Sequence, residues 1–509
     1  MTDAPGAPSG ARAPFRSFLA LQSRREVRAL VGFAVVLAIA LSSHEPWRDE
    51  LQSWMIARAS ATPTALLHNL RYEGHPVLWY ALLWPFARVF HSAATLQILE
   101  WFVATGTAAI VLFKSPFTTG RRIAIVFGYF FVYEYGALTR SYGLGVLLTV
   151  ASMVAVTDRK PRWLLRALLL GALANTSAFG ACIAIAIAIG VAVRDKPWDA
   201  DRDDRRDPVF AAIVFLGLAA YAYAQAQPAP GTEPFSGWNT SWNIHLVGKV
   251  LSAPFAALVP VPKLQHSWWN TSIGDGHARL AATAALLLVA AITFSLRRSK
   301  PALAAWCAGL AMILVFLYTK LATASNVRYF GHIFLLYVVA MWFAVSDARA
   351  GRRGSLLFDG VLGVQIAIAI IAVLLDVFMP FSNAAATASW FRNHHRVQAP
   401  IVGCPDFAAS AVAGELDRPI SYPQGDRSGT FILWDRKRTR VVATLNRAVA
   451  RATHGQFGRW YLLTNRPLPA IQRHLVFARS DGIVADEHYW VYQFSGRAPP
   501  ELPNPCRTP

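Results

Sequence analysis

The chain has 509 residues, of which 54% are hydrophobic and 15% are charged, against about 25% charged residues in a typical soluble domain. Its mean hydropathy is +0.34, and together these values exclude an ordinary soluble domain. The formal net charge is +20, and the basic excess lies in short segments between apolar stretches, a pattern that sets membrane orientation. No soluble basic domain or recognition motif accompanies it, so we expect no nucleic-acid partner.

Apolar stretches of about 15–20 residues recur through the first three quarters of the chain and predict membrane-spanning helices. The fold class expected is therefore mainly α, a polytopic transmembrane bundle of about eleven spans. The predicted spans fall near residues 27–43, 95–113, 123–139, 143–157, 164–178, 180–193, 209–226, 279–296, 301–318, 329–346 and 356–378.

Basic clusters collect on the cytoplasmic side of a membrane. The sequence has six basic clusters between its apolar stretches, and all six lie inside only if 76–91 is an interfacial helix rather than a span. This segment is short and holds two prolines and several Trp and Tyr residues, which favour the interface. We therefore expect a multi-pass protein, of the bacterial inner membrane, with a cytoplasmic N-terminus. Its parts are a tail (1–26), a transmembrane domain (27–378) and, within that domain, a first external loop with interfacial helices (44–94).

The region 379–509 alternates strand-like and helix-like stretches, which predicts a small external, periplasmic α/β domain. Cys404 and Cys506 lie in this region, and they could form a disulfide if it is outside the cytoplasm. The predicted strands are Pro400–Cys404, Thr430–Trp434, Trp460–Leu463 and Trp490–Phe494, and the predicted helices are Phe407–Leu416 and Val441–Ala450.

The acidic pair Asp49-Glu50 follows the first span closely, which places it near the bilayer surface. A carboxylate there could act as a general base on an acceptor hydroxyl. The neighbouring acid could help to hold a divalent cation such as Mg²⁺ or Mn²⁺. The alternative is a solvated helix start, because Pro46 and the acids after it are also a good N-terminal signal.

Two further groups follow in the chain. His75, next to Pro76, opens the interfacial helix and could contact a phosphate or assist proton transfer, or it has no role. Arg140, with Tyr142 nearby, lies near the outer surface, where a guanidinium can bind a lipid phosphate bidentately. The alternative is an ion pair of Arg140 with Glu134, an acid inside an apolar run that needs a partner.

Arg328, Tyr329 and His332 form a similar group at the outer start of a late span, with Lys320 close by. Two basic groups that converge from separate spans would suit a phosphate or pyrophosphate head group. The alternative is that these side chains only extend to the membrane interface.

Taken together, these residues resemble the GT-C superfamily of membrane glycosyltransferases, which includes the protein O-mannosyltransferases and the aminoarabinose transferases. The resemblance covers residues 27–160 well and the rest loosely. The chain has His-Pro-Val where many relatives have His-Pro-Pro, and Arg-Ser-Tyr for Arg-Pro-Tyr. The matching motifs are Trp47-Arg48-Asp49-Glu50, Gly74-His75-Pro76-Val77-Leu78-Trp79-Tyr80, Arg140-Ser141-Tyr142 and Arg328-Tyr329.

The resemblance implies an inverting transferase that moves a sugar from a polyprenyl-phosphate donor to a glycan, lipid or protein acceptor outside the cytoplasm. It implies that Asp49 deprotonates the acceptor, with Glu50 as its support or as a metal contact. Arg140 and Arg328 would hold the donor phosphate, and His75 would line the pocket.

Two other functions stay open from the residues. A transporter or flippase of lipid-linked sugars would favour polar residues near mid-bilayer and inverted repeats. The sequence shows no such repeat, and its polar motifs cluster at one face. A non-catalytic assembly protein of the cell envelope would use the C-terminal domain as a binding module.

Overall fold

The structure of the protein is a computed structural model that describes residues 12–158, 160–199, 205–227, 229–233, 241–320, 326–499 and 506, with the backbone alone for 12–23 and 353. The chain is mainly helical and carries a small sheet near its C-terminal end, which confirms the predicted class at that level. The helices before residue 379 are α1 (Arg12–Ser43), α2 (Arg48–Ala59), α3 (Pro63–Leu70), α4 (Leu78–Val89), α5 (Ala94–Lys114), α6 (Thr119–Val126), α7 (Ser141–Thr157), α8 (Trp163–Ala174), α9 (Ala178–Asp195), α10 (Arg206–Ala226), α11 (Ile244–Leu258), α12 (Ala278–Leu296), α13 (Lys300–Lys320), α14 (Val327–Ser346) and α15 (Arg352–Phe378).

Eight of the described helices are long and apolar enough to cross a membrane, namely α1, α5, α9, α10, α12, α13, α14 and α15. They are compatible with the expected multi-pass membrane protein. The predicted spans 143–157 and 164–178 correspond to α7 and α8, which are apolar but shorter. The total of about eleven spans therefore stays a prediction.

The predicted span 123–139 is wrong as a regular helix. α6 ends at Val126, and a π-helical turn covers Phe130–Glu134 before the chain continues without helix to Arg140. Nearly all of this segment is buried in protein, where irregular backbone is tolerated at membrane depth. Gly136 permits the compact path, because a Cβ there would lie 2.5 Å from the carbonyl oxygen of Phe131.

The turn between α8 and α9 also differs from the prediction, which placed it at residues 179–180. The structure places the turn at 175–177, since Ser177 accepts a hydrogen bond from the backbone N–H of Gly180 and so caps α9. A serine at this position is a strong helix N-terminal signal. The side-chain amide of Asn175 adds a hydrogen bond to the carbonyl of Leu218 in α10.

The predicted first external loop is helical and folds into its own apolar cluster. The predicted helix 76–91 is α4, and α2 and α3 precede it. The inner faces of α2 and α4 pack through Trp54, Trp79 and Leu83, all of which are buried. Whether these helices lie in a membrane interface remains a prediction.

The centre of the bundle is α14, which is buried along almost its whole length from Phe330 to Ala344. It packs against α7, α9, α11 and α13. A helix that is apolar all round is stable only when other helices enclose it. This enclosure fixes the position of the residues at its first turn, which include Arg328.

The C-terminal domain is built on a mixed sheet with strand order β3-β2-β1-β4-β6-β5. β1 runs parallel to β2 and β4, and the other pairs are antiparallel. Helices cover both faces. The elements are α16 (Ala384–Asn393), β1 (Ile401–Cys404), α17 (Asp406–Glu415), β2 (Ile420–Tyr422), β3 (Arg427–Gly429), α18 (Arg436–Arg440), α19 (Leu445–Ala452), β4 (Arg459–Thr464), β5 (Leu475–Arg479) and β6 (Tyr489–Ser495).

Three of the four predicted strands match β1, β4 and β6, whereas the strand predicted at Thr430–Trp434 is wrong. In this segment the backbone of Ile432 bonds to the side chain of Gln52 instead of a neighbouring strand. The helix predicted at Val441–Ala450 begins later, at Leu445, because Thr444 caps it by accepting a hydrogen bond from Arg447 N–H.

Polar contacts fix the C-terminal domain to one end of the helical bundle. The backbone N–H of Arg48 donates to Glu487 at 2.9 Å, so a domain carboxylate lies at the N-terminus of α2, where it is favoured. Arg438 donates to Asp406 at 2.8 Å and to Glu233 at 2.9 Å. This buried pairing ties the segment after α10 to the domain.

The structure joins Cys404 and Cys506 in a disulfide, across a sequence separation of 102. We expect Cys404→Ser to lower the free energy of unfolding of the domain by about 2–5 kcal/mol, because the bond restricts the unfolded chain. Protease resistance of the full chain in rising urea measures this. Cys307→Ser is the control, since Cys307 is unpaired and exposed. Equal resistance of Cys404→Ser and wild type under oxidising conditions would contradict the prediction.

Candidate functional site

Three segments far apart in the chain meet at the carboxylate of Asp49. One oxygen of Asp49 accepts a hydrogen bond from Arg140 at 2.8 Å and another from Arg328 at 3.1 Å. Asp49 lies in the first turn of α2, Arg140 directly precedes α7, and Arg328 is in the first turn of α14. The acid and the two arginines that the sequence assigned to one site therefore form a single cluster, at the end of the bundle that carries the C-terminal domain. We call it the Asp49 centre.

Aromatic rings hold both guanidiniums in place. The guanidinium of Arg328 lies 5.1 Å from the ring centre of Trp47, 5.7 Å from that of Trp269 and 4.8 Å from that of Tyr329. It also donates to the hydroxyl of Tyr329 at 3.0 Å. The guanidinium of Arg140 lies 5.3 Å from the ring of Tyr142. Cation–π contacts in a partly buried site stabilise such a placement, so Tyr142 and Tyr329 belong to the walls of the centre.

The guanidiniums of Arg140 and Arg328 face the one carboxylate of Asp49, which leaves one surplus positive charge. Arg48 also lies 3.8 Å from Asp49, but it has its own acidic partners in Asp486 and Glu487. Both arginine side chains are about seven-eighths buried, with 14% and 13% exposed, whereas 27% of Asp49 is exposed. The Nε of Arg328 is enclosed and has no hydrogen-bond partner among the described residues. A buried charged donor without a partner favours an additional acceptor, and a monoanion would supply both the acceptor and the missing charge.

Asp49 is ionised at neutral pH in this arrangement. Burial raises its pKa, but the guanidiniums of Arg140 and then Arg328 outweigh burial and hold the pKa below its usual range. A carboxylate in this state is a weak base. Its basicity rises when the guanidiniums turn to another anion.

The sequence interpretation did not count Glu73 among the site residues, yet its carboxyl lies within electrostatic reach of Asp49 and Arg140. Burial raises the pKa of Glu73 to about 8, against a smaller opposing effect of its hydrogen bond from Gln52 at 2.8 Å. Two carboxyl groups whose pKa values are driven apart mark an acid–base site. The sequence feature that could have identified Glu73 is its position in a polar loop, two residues before His75.

His75 helps to line a cavity of about 470 Å³ and lies within electrostatic reach of Asp49, Arg140 and Arg328. Burial first, and then the charge of Arg140, lower the pKa of His75 to about 4. The ring is therefore neutral at physiological pH and can accept or donate one hydrogen bond.

Glu50 points into a separate, fully buried network. Its Oε1 accepts from the backbone N–H and the hydroxyl of Thr139 at 2.5 and 2.7 Å. Its Oε2 accepts from Trp47 N–H and bonds to His44, both at 3.0 Å. His44 also bonds to Asp376 at 2.9 Å. The expected helix start is present as well, since both acids lie in the first turn of α2.

These hydrogen bonds decide whether Glu50 can be a ligand of the divalent cation expected at Asp49 and Glu50. Both oxygens of Glu50 already accept two hydrogen bonds each, so Glu50 does not fit the role of a metal ligand. In the described part of the chain, no group of three or more His, Cys, Asp and Glu side chains is arranged to hold a metal ion. The divalent cation itself stays a prediction.

Two predicted binding residues lie outside the first layer of the centre. His332 is 3% exposed and stacks on Phe179, with ring centres 4.5 Å apart, behind Tyr329. Its Nδ1 lies 3.0 Å from the hydroxyl of Tyr135. Lys320 is the last residue of α13, and the ion pairs described for Asp49 are with Arg48, Arg140 and Arg328.

Glu134 does not form the ion pair with Arg140 that was the alternative reading. It accepts hydrogen bonds from the hydroxyl of Tyr129 at 2.8 Å and from the indole N–H of Trp269 at 3.1 Å. The second bond orients the ring of Trp269, which in turn faces Arg328. Glu134 thus supports the centre from behind.

No protein-family model matches the chain, and no curated protein matches it either. The likeness to the GT-C superfamily therefore remains a sequence-based prediction. Any proposed function must rest on the geometry of the site.

We predict opposite roles for the two adjacent acids. Glu50→Ala removes the acceptor of four hydrogen bonds and leaves His44 with one carboxylate, so it should lower the free energy of unfolding by about 3–5 kcal/mol. Asp49→Asn keeps a hydrogen-bond acceptor in a partly exposed position and should leave the folded yield close to wild type. Thermal unfolding of detergent-solubilised protein compares them. Equal melting temperatures for the two variants would refute this division.

Glu73 should also give stability a pH dependence. In the folded protein its carboxyl keeps its proton up to about pH 8, whereas the unfolded chain releases it near 4.5. Between these values the unfolded state binds fewer protons, so stability falls as pH rises. We expect the melting temperature of Glu73→Gln to fall less than that of wild type across this interval. Parallel curves for the two proteins would contradict the assignment.

Proposed function

We propose that the protein is an inverting glycosyltransferase that moves a sugar from a polyprenyl-phosphate donor to an acceptor hydroxyl on the external face of the membrane. The observation that carries this proposal is the convergence of Arg140 and Arg328 on one oxygen of Asp49. It places two buried cations and one acid at the end of membrane-length helices, where the phosphate of a lipid-linked donor would lie.

Charge balance supports a phosphodiester as the ligand. A sugar linked to polyprenyl phosphate carries one negative charge, and the Asp49 centre has one surplus positive charge. In the proposed complex, Arg140 and Arg328 turn part of their donors to the phosphate, and the unpaired Nε of Arg328 gains an acceptor. Guanidiniums match phosphate oxygens bidentately. The aromatic walls exclude water, which strengthens these contacts.

The reaction then follows from the same residues. The acceptor oxygen forms a bond to the anomeric carbon while the bond from that carbon to the phosphate oxygen breaks, which inverts the configuration. Polyprenyl phosphate leaves with an additional negative charge, and the fixed guanidiniums stabilise it as it develops. The acceptor proton passes to the carboxylate of Asp49. Donor binding makes Asp49 a stronger base, since the phosphate takes over part of its cationic partners.

We expect Asp49→Asn to abolish transfer in a donor–acceptor assay with purified enzyme, because an amide cannot take the proton of the acceptor. The matched control is Asp417→Asn, an acid at the surface of the C-terminal domain that pairs with Arg58 at 3.1 Å. It should transfer at the wild-type rate. Full transfer by Asp49→Asn would exclude the mechanism.

Arg328→Lys should raise the KM for the donor by about tenfold or more, because an ammonium cannot replace a bidentate guanidinium. Arg122→Lys is a suitable control, since Arg122 also pairs with an acid, Glu26, but in another part of the bundle. An unchanged donor KM in Arg328→Lys would remove the phosphate site. Movement of labelled donor across vesicles without any transfer product would favour a flippase instead.

A further inference from the structure

A cavity of about 470 Å³ lies beside the Asp49 centre, between the first-loop helix α3 and the end of α10. One part of its lining is apolar and includes Leu67, Leu70 and Val77. Another part is polar and includes Arg71 and Gln225. A cavity with an apolar wall and a cationic end suits an amphiphile, whose chain and head group need different surroundings.

Gln225 offers an enclosed hydrogen-bond donor at this cavity. Its side-chain oxygen accepts from the backbone N–H of Val77 at 2.8 Å, which fixes the amide. Its Nε2 is enclosed and has no hydrogen-bond partner among the described residues. An enclosed amide donor without an acceptor is unfavourable by about 1–3 kcal/mol. A hydroxyl, phosphate or carboxylate oxygen in the cavity would accept from it.

Arg71 gives the cavity its charge. Its guanidinium lies 4.5 Å from the ring centre of Tyr72 and donates to the carbonyl of His68 at 2.6 Å. No carboxylate in the described part of the chain forms an ion pair with it. The remaining donors can bind an anionic head group.

The cavity adjoins the exposed face of α10. α10 is one of the eight membrane-length helices and only 11% of its apolar window is buried. Tyr221, which lines the cavity on this helix, is 48% exposed. A lipid chain can therefore pass along α10 with its head at membrane-surface depth.

We propose that this cavity binds the acceptor and that the acceptor is an anionic amphiphile. The inference rests on the proposed function and deepens it by naming the acceptor class. His75 lines the cavity and lies within electrostatic reach of Asp49, Arg140 and Arg328. Donor phosphate and acceptor would then reach the sugar from different sides, as inversion requires.

Binding can be measured without any transfer. The full chain in phosphatidylcholine nanodiscs is titrated with a fluorescent lysophosphatidate and with a monoacylglycerol that carries the same chain and label. We expect Arg71→Gln to weaken the anionic probe by about tenfold and to leave the neutral probe unchanged. Gln225→Glu should also weaken the anionic probe, since it keeps an acceptor for Val77 N–H but replaces the donor with a negative charge.

The matched control is Arg297→Gln. Arg297 also ends a helix, lies over an aromatic ring at 3.5 Å and donates to the carbonyl three residues earlier at 3.0 Å, but it does not line the cavity. Its substitution should leave both affinities at the wild-type value. Equal affinity of wild type and Arg71→Gln for the anionic probe would overturn the inference. Displacement of the probe by polyprenyl phosphate would also overturn it, because it would assign the cavity to the donor.

The two proposals fail in different ways. If transfer requires Asp49 and Arg328 but Arg71→Gln changes neither probe affinity nor acceptor KM, the proposed function stands and the acceptor site is refuted. If Arg71→Gln weakens binding of the anionic probe but the wild-type protein does not transfer sugar from any polyprenyl-phosphate donor, the amphiphile site stands and the proposed function is refuted.

Discussion

The Asp49 centre depends on one carboxylate that holds two guanidiniums together. Two unit charges of the same sign about 4 Å apart repel by about 4 kcal/mol at an effective dielectric constant of about 20. Asp49 offsets this repulsion, and the rings of Trp47, Trp269 and Tyr329 confine Arg328 while it does so. The residue before α7 and the first turn of α14 meet at this anion. A substrate phosphate that took over the guanidiniums would inherit a scaffold already arranged for an anion.

Support for this arrangement comes from the residue next to Asp49. On one helical turn of α2, Asp49 faces the arginines while Glu50 turns inward to Thr139 and His44. His44 continues the network to Asp376 near the end of α15. The imidazole and the two carboxyl groups can stay buried together because each of the three side chains has a hydrogen-bond partner in this network. The acidic pair thus combines a residue exposed to ligand with a residue that fixes the helix on which it lies.

The charge distribution predicted that Asp49, Arg140 and Arg328 lie at the same surface, and the resemblance to the GT-C superfamily predicted that they share one site. The His44–Asp376 contact could not be predicted, since it joins residues 332 apart in sequence and depends on how α1 packs on α15. The break of the predicted span at 123–139 arises from burial by neighbouring helices rather than from local preference. The loop at Ile432 has strand-like residues, but the amide of Gln52 provides its backbone partners, and no local pattern reveals such a contact.

That amide links two parts of the molecule that the chain order keeps far apart. Gln52 donates to Ile432 and to Glu73, both at 2.8 Å, and accepts from Ile432 N–H at 2.9 Å. Both of its hydrogens and its oxygen are therefore engaged, so the amide cannot adjust to one partner without weakening another. A tilt of the C-terminal domain would therefore disturb the hydrogen bond that Glu73 accepts, which couples the position of this domain to a carboxyl group within electrostatic reach of Asp49.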